Sequence, residues 1–553
     1  MKLSSTVQIP PVLQKNRVHL TLLLLAAMGV SAIHVMLGLG PIRTFSPTYD
    51  EPVHLTAGLV AWKTGETRFN GYDHPPFGEM WAAIPLIFLN PIIPKNDPRW
   101  TAQRWRSIDQ YRFADLFFYH NRVPADAMLA AARKMQLLLS VLLGFFLVWV
   151  AFRMGGLIPA LVTLVLWGFS PTFLTHGTIV STDLAFACFF FSFFVFLSGL
   201  TRGWGTVVGS GISLGLCVAS KYLAVAVFPC LAAVLFWDVV VQKKTFRKIN
   251  YLYAVVVCLV AFLTVKSVFQ WGSMDVFWDG LKNVFTRSQA GRSSFFAGRH
   301  GVNGWFLYFP FTFLVKTPIP LLTGCVVGIV LMMRKKISVP AALWIPPLVY
   351  FLLACISKVQ IGHRHILAIY PFVIVLAGLG FGAITGRLKW LVPCFLLWNA
   401  AGTILVRPHF IAYFNEFVGG PKNGYRYLTD SNVDWGQGLK LLRRELSDED
   451  VSRGIYLSYF GVADPHAEGI TYLDVGSDVI AGHRDDTGNP SVKPTTLAIS
   501  ITNLQGTYFE DKDAFRWLSE FKPIRVVGES IFVYDFSNQP GALEALESMR
   551  RPS

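Results

Sequence analysis

Apolar residues run almost unbroken from His19 to Leu39. At the helical rise of about 1.5 Å per residue, that stretch crosses the roughly 30 Å hydrocarbon core of a bilayer. The same pattern returns at about 130–151, 157–173, 181–200, 204–220, 223–241, 251–271, 308–332, 340–356, 366–385 and 389–406. The pattern predicts a polytopic α-helical membrane protein of about eleven transmembrane helices. A long polar stretch, 40–127, separates the first two spans and reads as a large loop. Beyond the last span the pattern changes. GIYLSYFG, TTLAISITNL and IRVVGESIFVYDF read as strands, with KDAFRWLSEF a helical turn between the last two. Residues 1–406 are therefore expected to form a membrane domain and 407–553 a small soluble α/β domain.

Composition agrees with this picture. Of 553 residues 53% are hydrophobic and 15% charged, against about a quarter charged in soluble proteins. The formal net charge of +15 resides in no basic tail or domain, so nucleic acid is not an expected partner. It sets orientation instead, because cytoplasmic gaps retain Lys and Arg. With a cytoplasmic N-terminus, every cytoplasmic gap is basic: Arg153; Arg202; Lys243, Lys244, Arg247 and Lys248; Arg334, Lys335 and Lys336; Arg387 and Lys389. The 40–127 loop carries nine basic and nine acidic residues and is expected outside. The first span follows Lys15 and Arg17 without a small-residue cleavage site, which reads as a retained signal anchor. An odd number of spans puts the C-terminal domain outside as well. All seven cysteines fall in apolar segments without CxxC spacing, as small buried hydrophobes do.

Against this apolar background, ionisable residues gather at the outer ends of spans. Asp50 and Glu51 follow the first span in SPTYDEPVHL; Asp73 and His74 lie in YDHPPFGEM of the same loop. Asp183 opens a span in STDLAF, Lys221 closes another in SKY, and Lys316 sits in KTPIP. Arg364 stands between His363 and His365 in GHRHILAIYPF. Singly, each has an ordinary reading: a solvated loop acid, a snorkelling lysine, a helix cap. Their coincidence on one side of the membrane is what singles them out, since ionisable groups at membrane depth line cavities or pair. Such a face suits an anionic lipid-linked substrate, with cations on a phosphate and a carboxylate to deprotonate a hydroxyl. Asp430 and Asp434 in DSNVDWG alternate like a calcium loop, but the glycine falls one place late and Leu441 replaces the closing glutamate. A loop facing the active site or the acceptor fits them better.

Taken in order, YDEPVHLTAG, HPPF, STDLAF, SKY, KTPIPLL and GHRHILAIYPF resemble the type C glycosyltransferases. The protein O-mannosyltransferases and the bacterial transferase that adds aminoarabinose to lipid A are the similar branches. The resemblance spans about 45 to 380, and residues 409–440 and the C-terminal strands resemble a bacterial branch. It implies the type C glycosyltransferase fold, and a multi-pass inner-membrane enzyme that moves a sugar from a polyprenyl-phosphate carrier to an acceptor hydroxyl on the outer face. The acceptor class, protein, glycan or lipid, stays open. Within that resemblance Asp50 is the expected base of an inverting displacement, with Glu51 as a second catalytic residue beside it. Asp73, His74 and Asp183 match further motif positions; Lys221, Lys316, His363 and Arg364 are the expected substrate grip. His74 replaces a lysine of the aminoarabinose branch, which weakens the case for a lipid A acceptor. A divalent metal on Asp50 and Asp73 is an optional cofactor that ligand spacing does not reveal. Two other classes share the charge pattern: a transporter or flippase of a lipid-linked sugar, and a non-catalytic cell-envelope assembly protein. Transporters favour inverted repeats and broken helices at the midplane; no repeat is visible, and these charges lie at one set of span ends.

Overall fold

A computed structural model describes residues 17–101, 105, 108–199, 203–245, 248–477 and 493–550. Lys15, Arg202 and Arg247, used above for orientation, lie outside the described residues. The fold is helical, and among the described residues six helices are long and apolar enough to cross a membrane: His19–Thr44, Ala125–Gly155, Tyr222–Val241, Ile249–Val268, His363–Gly382 and Gly386–Leu405. A seventh crossing arises if Tyr308–Lys316 and Ile319–Met333, bent by 112° at their junction, form one broken span. Pro318 lies at that junction, where a proline offers no backbone N–H to continue the helix.

The other four expected spans are shorter apolar helices: Leu157–Gly168, Asp183–Leu197, Trp204–Val218 and Ala341–Cys355. At 12 to 15 residues they fall below the ~20 that a bilayer asks of a straight helix. The 157–173 segment breaks because Ser170 starts a new helix, its Oγ accepting from the Phe173 N–H, with Pro171 at the first position.

The described part of the 40–127 stretch is folded. It holds the helices Glu51–Thr64, Arg68–Gly71, Phe77–Leu89 and Asp109–Tyr119. Leu55, Leu59, Ala82, Ala83, Leu86 and Phe117 form their shared core with Met128, Leu129 and Ala132 of the following span. Glu51–Thr64 and Phe77–Leu89 pack backbone to backbone at Gly58: a Cβ there would lie 2.1 Å from the Glu79 carbonyl oxygen.

A short hairpin, β1 (Ser294–Phe296) and β2 (Arg299–Gly301), lies between spans where no strand was expected. The C-terminal sheet contains β3 (Ile455–Ser458), β4 (Tyr472–Asp474), β5 (Thr496–Ser500), β6 (Arg525–Val527) and β7 (Ile531–Asp535) in the order β4-β3-β5-β7-β6. β3 pairs parallel with β4 and β5, whereas β7 runs antiparallel to β5 and β6. The three expected strand segments supply four of these strands, and the helical turn is Arg516–Glu520. Strands β3 and β5 are buried on both faces, so they read as apolar runs without alternation. The sheet region is tied to the membrane part through the backbone. Tyr49 N–H donates to the Trp435 carbonyl (2.9 Å), Ser46 N–H to that of Gln437 (3.1 Å), and Ala297 N–H to that of Tyr427 (2.9 Å).

Candidate active site

A cavity of about 520 Å³ lies against the N-terminus of helix Glu51–Thr64. Asp50, Asp73, His74, Lys221, Arg364, His365 and Asp430 line it. Chain segments more than 300 residues apart therefore meet at one wall, as the clustering of charges at span ends anticipated.

Asp50 occupies the N-cap position, but its side chain makes no capping hydrogen bond. An aspartate there ordinarily accepts from a first-turn N–H. Instead, Arg364 Nη1 donates to Asp50 Oδ2 at 3.0 Å, and the same guanidinium stacks over Trp435 at 4.1 Å. Burial pushes the Asp50 carboxyl up, but Arg364, His54 and His74 outweigh it and hold the group below the usual carboxylate range. The carboxylate is thus ionised at neutral pH and faces the cavity.

Glu51, one residue on, points the other way. It is fully buried, and its two oxygens accept from Arg133 Nε (2.8 Å) and Nη2 (2.5 Å), Thr48 N–H (2.7 Å) and Val180 N–H (2.8 Å). With four donors it has no lone pair turned to a substrate, and it is not part of the cavity wall. Its place is that of a brace beneath Asp50.

Beside Asp50, His54 Nδ1 meets Glu79 Oε1 at 2.8 Å, and Asn70 Nδ2 donates to the same oxygen at 2.5 Å. The His54 and His74 rings meet edge to face, 5.0 Å apart. Burial lowers the affinity of both imidazoles for protons. Glu79 reverses this for His54, which is raised, whereas His54 and Lys221 push His74 further down. Asp73 pairs with Arg287, and Asn283 Nδ2 donates to the neighbouring Tyr72 carbonyl at 2.9 Å.

Lys221 lines the cavity and pairs with Asp183, which stands buried behind it. Lys316 and His363 lie elsewhere. The Lys316 ammonium donates to the carbonyls of Ile411 and Asn432, both at 2.7 Å, over the Phe414 ring. His363 Nε2 meets the Tyr370 hydroxyl at 2.6 Å. Lys316 and His363 share a small secondary pocket with His176.

The DSNVDWG loop splits its two acids. Asp430, at φ 55°, lines the cavity and accepts from the Tyr508 hydroxyl. Burial raises its carboxyl against the pull of Arg292 and Arg364. Asp434 is buried away from the cavity, accepting from the N–H groups of Gly436 (3.2 Å) and Thr502 (3.3 Å).

Sequence reading passed over His54, Glu79, Arg133, Arg287, Arg292, Trp435 and Tyr508. Two of them carried a signal. His54 is one helical turn after Asp50, and Glu79 is a lone acid entering an apolar run. The partners of the others lie far off in sequence, and nothing local points to them.

The donor set does not suit the divalent metal considered for Asp50 and Asp73. Arg364 and Arg287 engage these carboxylates, and among the described residues no three His, Cys, Asp or Glu side chains converge as metal ligands. No chemical step is routed through a metal.

Residues 126–267 match the family described as dolichyl-phosphate-mannose-protein mannosyltransferase. That segment contains Asp183 and Lys221. No curated protein matches the chain. Among solved structures the chain is similar to ArnT from Cupriavidus metallidurans in the apo state, with 12% identity, 97% of this chain and 99% of that chain covered, and a TM-score of 0.48. It is also similar to the same protein bound to undecaprenyl phosphate, with 12% identity, 95% and 99% coverage and a TM-score of 0.43. A third likeness is to the apo oligosaccharyltransferase of Archaeoglobus fulgidus, with 13% identity, 89% and 71% coverage and a TM-score of 0.46.

Proposed function

We propose that this chain is a type C membrane glycosyltransferase that moves a sugar from a polyprenyl-phosphate carrier to an acceptor hydroxyl, with inversion and with Asp50 as base. One observation carries the reading: a solvent-facing carboxylate, Asp50, shares a single cavity with four cations, Lys221, Arg287, Arg292 and Arg364. The match of residues 126–267 to a mannosyltransferase family supports the same class.

In this reading the acceptor hydroxyl gives its proton to Asp50 as its oxygen bonds the anomeric carbon. The bond from that carbon to the phosphate oxygen breaks on the opposite face, and its electron pair leaves with the polyprenyl phosphate. General base catalysis of this kind contributes about 10²–10⁴-fold. Preorganised cations around the departing phosphate add a term that is often the largest in such sites. Arg364 does two things: it orients Asp50 and it places positive charge at the reacting centre. Asp73, His74 and Lys221 would border the donor, and Asp430 would face the acceptor. Glu51 and Arg133 would keep Asp50 in place without touching substrate. The cavity would lie on the outer side of the inner membrane, with the N-terminus cytoplasmic and the C-terminal α/β domain extracytoplasmic, contributing Asp430, Trp435 and Phe460 to the wall.

The test is sugar transfer by purified protein from polyprenyl-phosphate donors to panels of protein, glycan and lipid acceptors. Transfer by wild type that falls at least a hundredfold in Asp50→Asn is the expected result. Undiminished transfer by that variant removes Asp50 as base. Lipid-linked sugar crossing vesicles without transfer would instead favour a flippase.

A further inference from the structure

Two further cations of the 40–127 stretch, Lys63 and Arg122, meet outside the cavity wall. Lys63, in the last turn of helix Glu51–Thr64, donates to the Asn90 side chain and to the Pro91 carbonyl (3.2 Å). Arg122 Nε donates to the Asn90 carbonyl at 3.1 Å, and its Nη2 reaches the same oxygen. Both side chains thus converge on the C-cap of helix Phe77–Leu89, where Asn90 turns the chain at φ 52°. Among the described residues no carboxylate pairs with either of them. Charge does not balance there. A helix C-terminus carries about half a negative charge, so the two helix ends that meet here offset about one of the two positive charges. Burial and the nearby Arg122 charge hold the Lys63 ammonium below its ordinary range.

Large apolar side chains stand exposed on the same elements. Phe88 is 83% exposed, Ile92 57% and Trp62 42%, and Ile87 and Leu89 are exposed next to them. The second span sets their level. Asn121 Nδ2 donates to the Ile92 carbonyl (2.8 Å) and the Ile92 N–H returns a bond to Asn121 Oδ1 (3.1 Å), just before Ala125 opens the span Ala125–Gly155. Apolar side chains at the end of a span, with a tryptophan and two basic residues among them, match the composition of a membrane interface.

We infer that Lys63 and Arg122, together with Trp62, Phe88 and Ile92, hold one anionic phospholipid of the membrane, its phosphate at the two cations and its acyl chains on the apolar side chains. A phosphodiester carries one negative charge, the amount left uncompensated, and accepts charge-assisted hydrogen bonds from an ammonium and a guanidinium. Because the site lies outside the cavity wall, its occupant is a resident lipid and not the reacting donor. The helix that ends at this site carries Glu79 in its first turn, in contact with His54 beside Asp50. A lipid that fixes one end of this helix therefore acts on groups at its other end. The lipid site requires only a membrane at the level of Ala125; its effect on turnover rests on the glycosyltransferase reading above.

The experiment places full-length protein in nanodiscs of phosphatidylcholine and phosphatidylglycerol, with one or the other lipid carrying brominated acyl chains. Bromine quenches tryptophan at short range, and subtracting the signal of Trp62→Phe isolates Trp62. Phosphatidylglycerol is expected to be preferred at Trp62 by about tenfold. Lys63→Gln combined with Arg122→Gln should erase the preference, whereas the charge-preserving pair Lys63→Arg and Arg122→Lys should keep it. Lys335→Gln with Lys336→Gln, which removes the same charge from another loop, should keep it too. Equal quenching by both lipids in wild type, or a preference that survives the neutralising pair, overturns the headgroup site. Quenching of Trp62 by neither lipid overturns the lipid contact, and displacement by soluble glycerophosphoglycerol overturns the assignment to a lipid. Sugar transfer should rise several-fold with phosphatidylglycerol in wild type and stay flat in the neutralised protein. Transfer that ignores lipid composition overturns the link to the helix. If no lipid supports transfer, the glycosyltransferase reading falls, and the quenching still decides the lipid site.

Discussion

Glu51 and Arg133 face one another in the protein interior, both fully buried, with two parallel bonds between carboxylate and guanidinium. The remaining donors of Arg133 reach the carbonyls of Phe45 (2.9 Å) and Ser46 (2.8 Å). The pair therefore ties together the end of the first span, the start of helix Glu51–Thr64 and the second span. Removing one partner leaves an uncompensated buried charge, which costs about 3–5 kcal/mol. Glu51→Gln is expected to lower the thermal midpoint sharply and to lose yield. The fraction that stays folded should keep a donor KM close to wild type, because Glu51 touches no cavity. A catalytic Glu51 would show the reverse: normal stability with kcat lost.

Gly58 and Glu79 define how closely the two loop helices approach, with no room for a methyl group between them. The clash is with backbone, so it cannot be relieved by a rotamer change. Gly58→Ala should cost about 1–3 kcal/mol, the usual range for overpacking. It should also push Glu79 away from His54 and Asn70, so kcat falls even at temperatures where the variant is folded. Circular dichroism melts and transfer rates on one preparation check both statements. A fully active Gly58→Ala would mean that the Glu79 to His54 contact does not matter for turnover.

Lys316 holds two carbonyls, Ile411 and Asn432, and so fixes the loop that presents Asp430 and Trp435 to the cavity. Lys316→Met keeps the length of the side chain and removes the donors. Two buried carbonyls then lose their partner, at about 1–3 kcal/mol each. The expected result is a lower melting midpoint and faster amide exchange across residues 429–435. Binding of polyprenyl phosphate should change less than in Lys221→Met, because Lys221 lines the cavity and Lys316 does not. A larger binding loss in Lys316→Met would place the carrier phosphate in the secondary pocket beside His363.

The membrane helices were legible because burial in lipid needs apolar residues on every side, and such runs stand out from any neighbouring loop. Asp50, Asp73, His74, Lys221 and Arg364 could be placed together because they lie at the outer ends of spans or in the outer loop on the same side, whereas Asp430 was placed by its loop alone. What stayed hidden depends on side-chain direction. Asp50 and Glu51 are adjacent and chemically alike, yet one faces the cavity and the other Arg133, whose position inside an apolar helix reads as an interface lysine or arginine would. Lys316 has the same local context as Lys221, but its ammonium turns toward backbone carbonyls. Helix breaks such as those at Ser170 and Pro318 shorten spans without altering their mean apolarity. Strand β4 has three residues, and β1 and β2 have three each, too few for a period to be read.

Asp434 provides a test by pH. Its carboxyl ordinarily titrates near 3.8, and burial without a cation partner pushes it up to about 7. The folded protein then binds this proton more tightly than the unfolded chain does. The stabilisation is complete below about pH 4, where both states are protonated, and it is lost progressively as the pH rises through about 7. The full span corresponds to about 4 kcal/mol. Asp434→Asn removes the titration and keeps an amide oxygen to accept from Gly436 or Thr502. The difference in melting midpoint between variant and wild type is therefore expected to grow in favour of the variant from pH 5 to pH 8. Comparing the two proteins at each pH cancels the other titrating groups. Parallel pH profiles would show that Asp434 titrates as an ordinary carboxylate and that its two backbone N–H donors suffice to hold the charge.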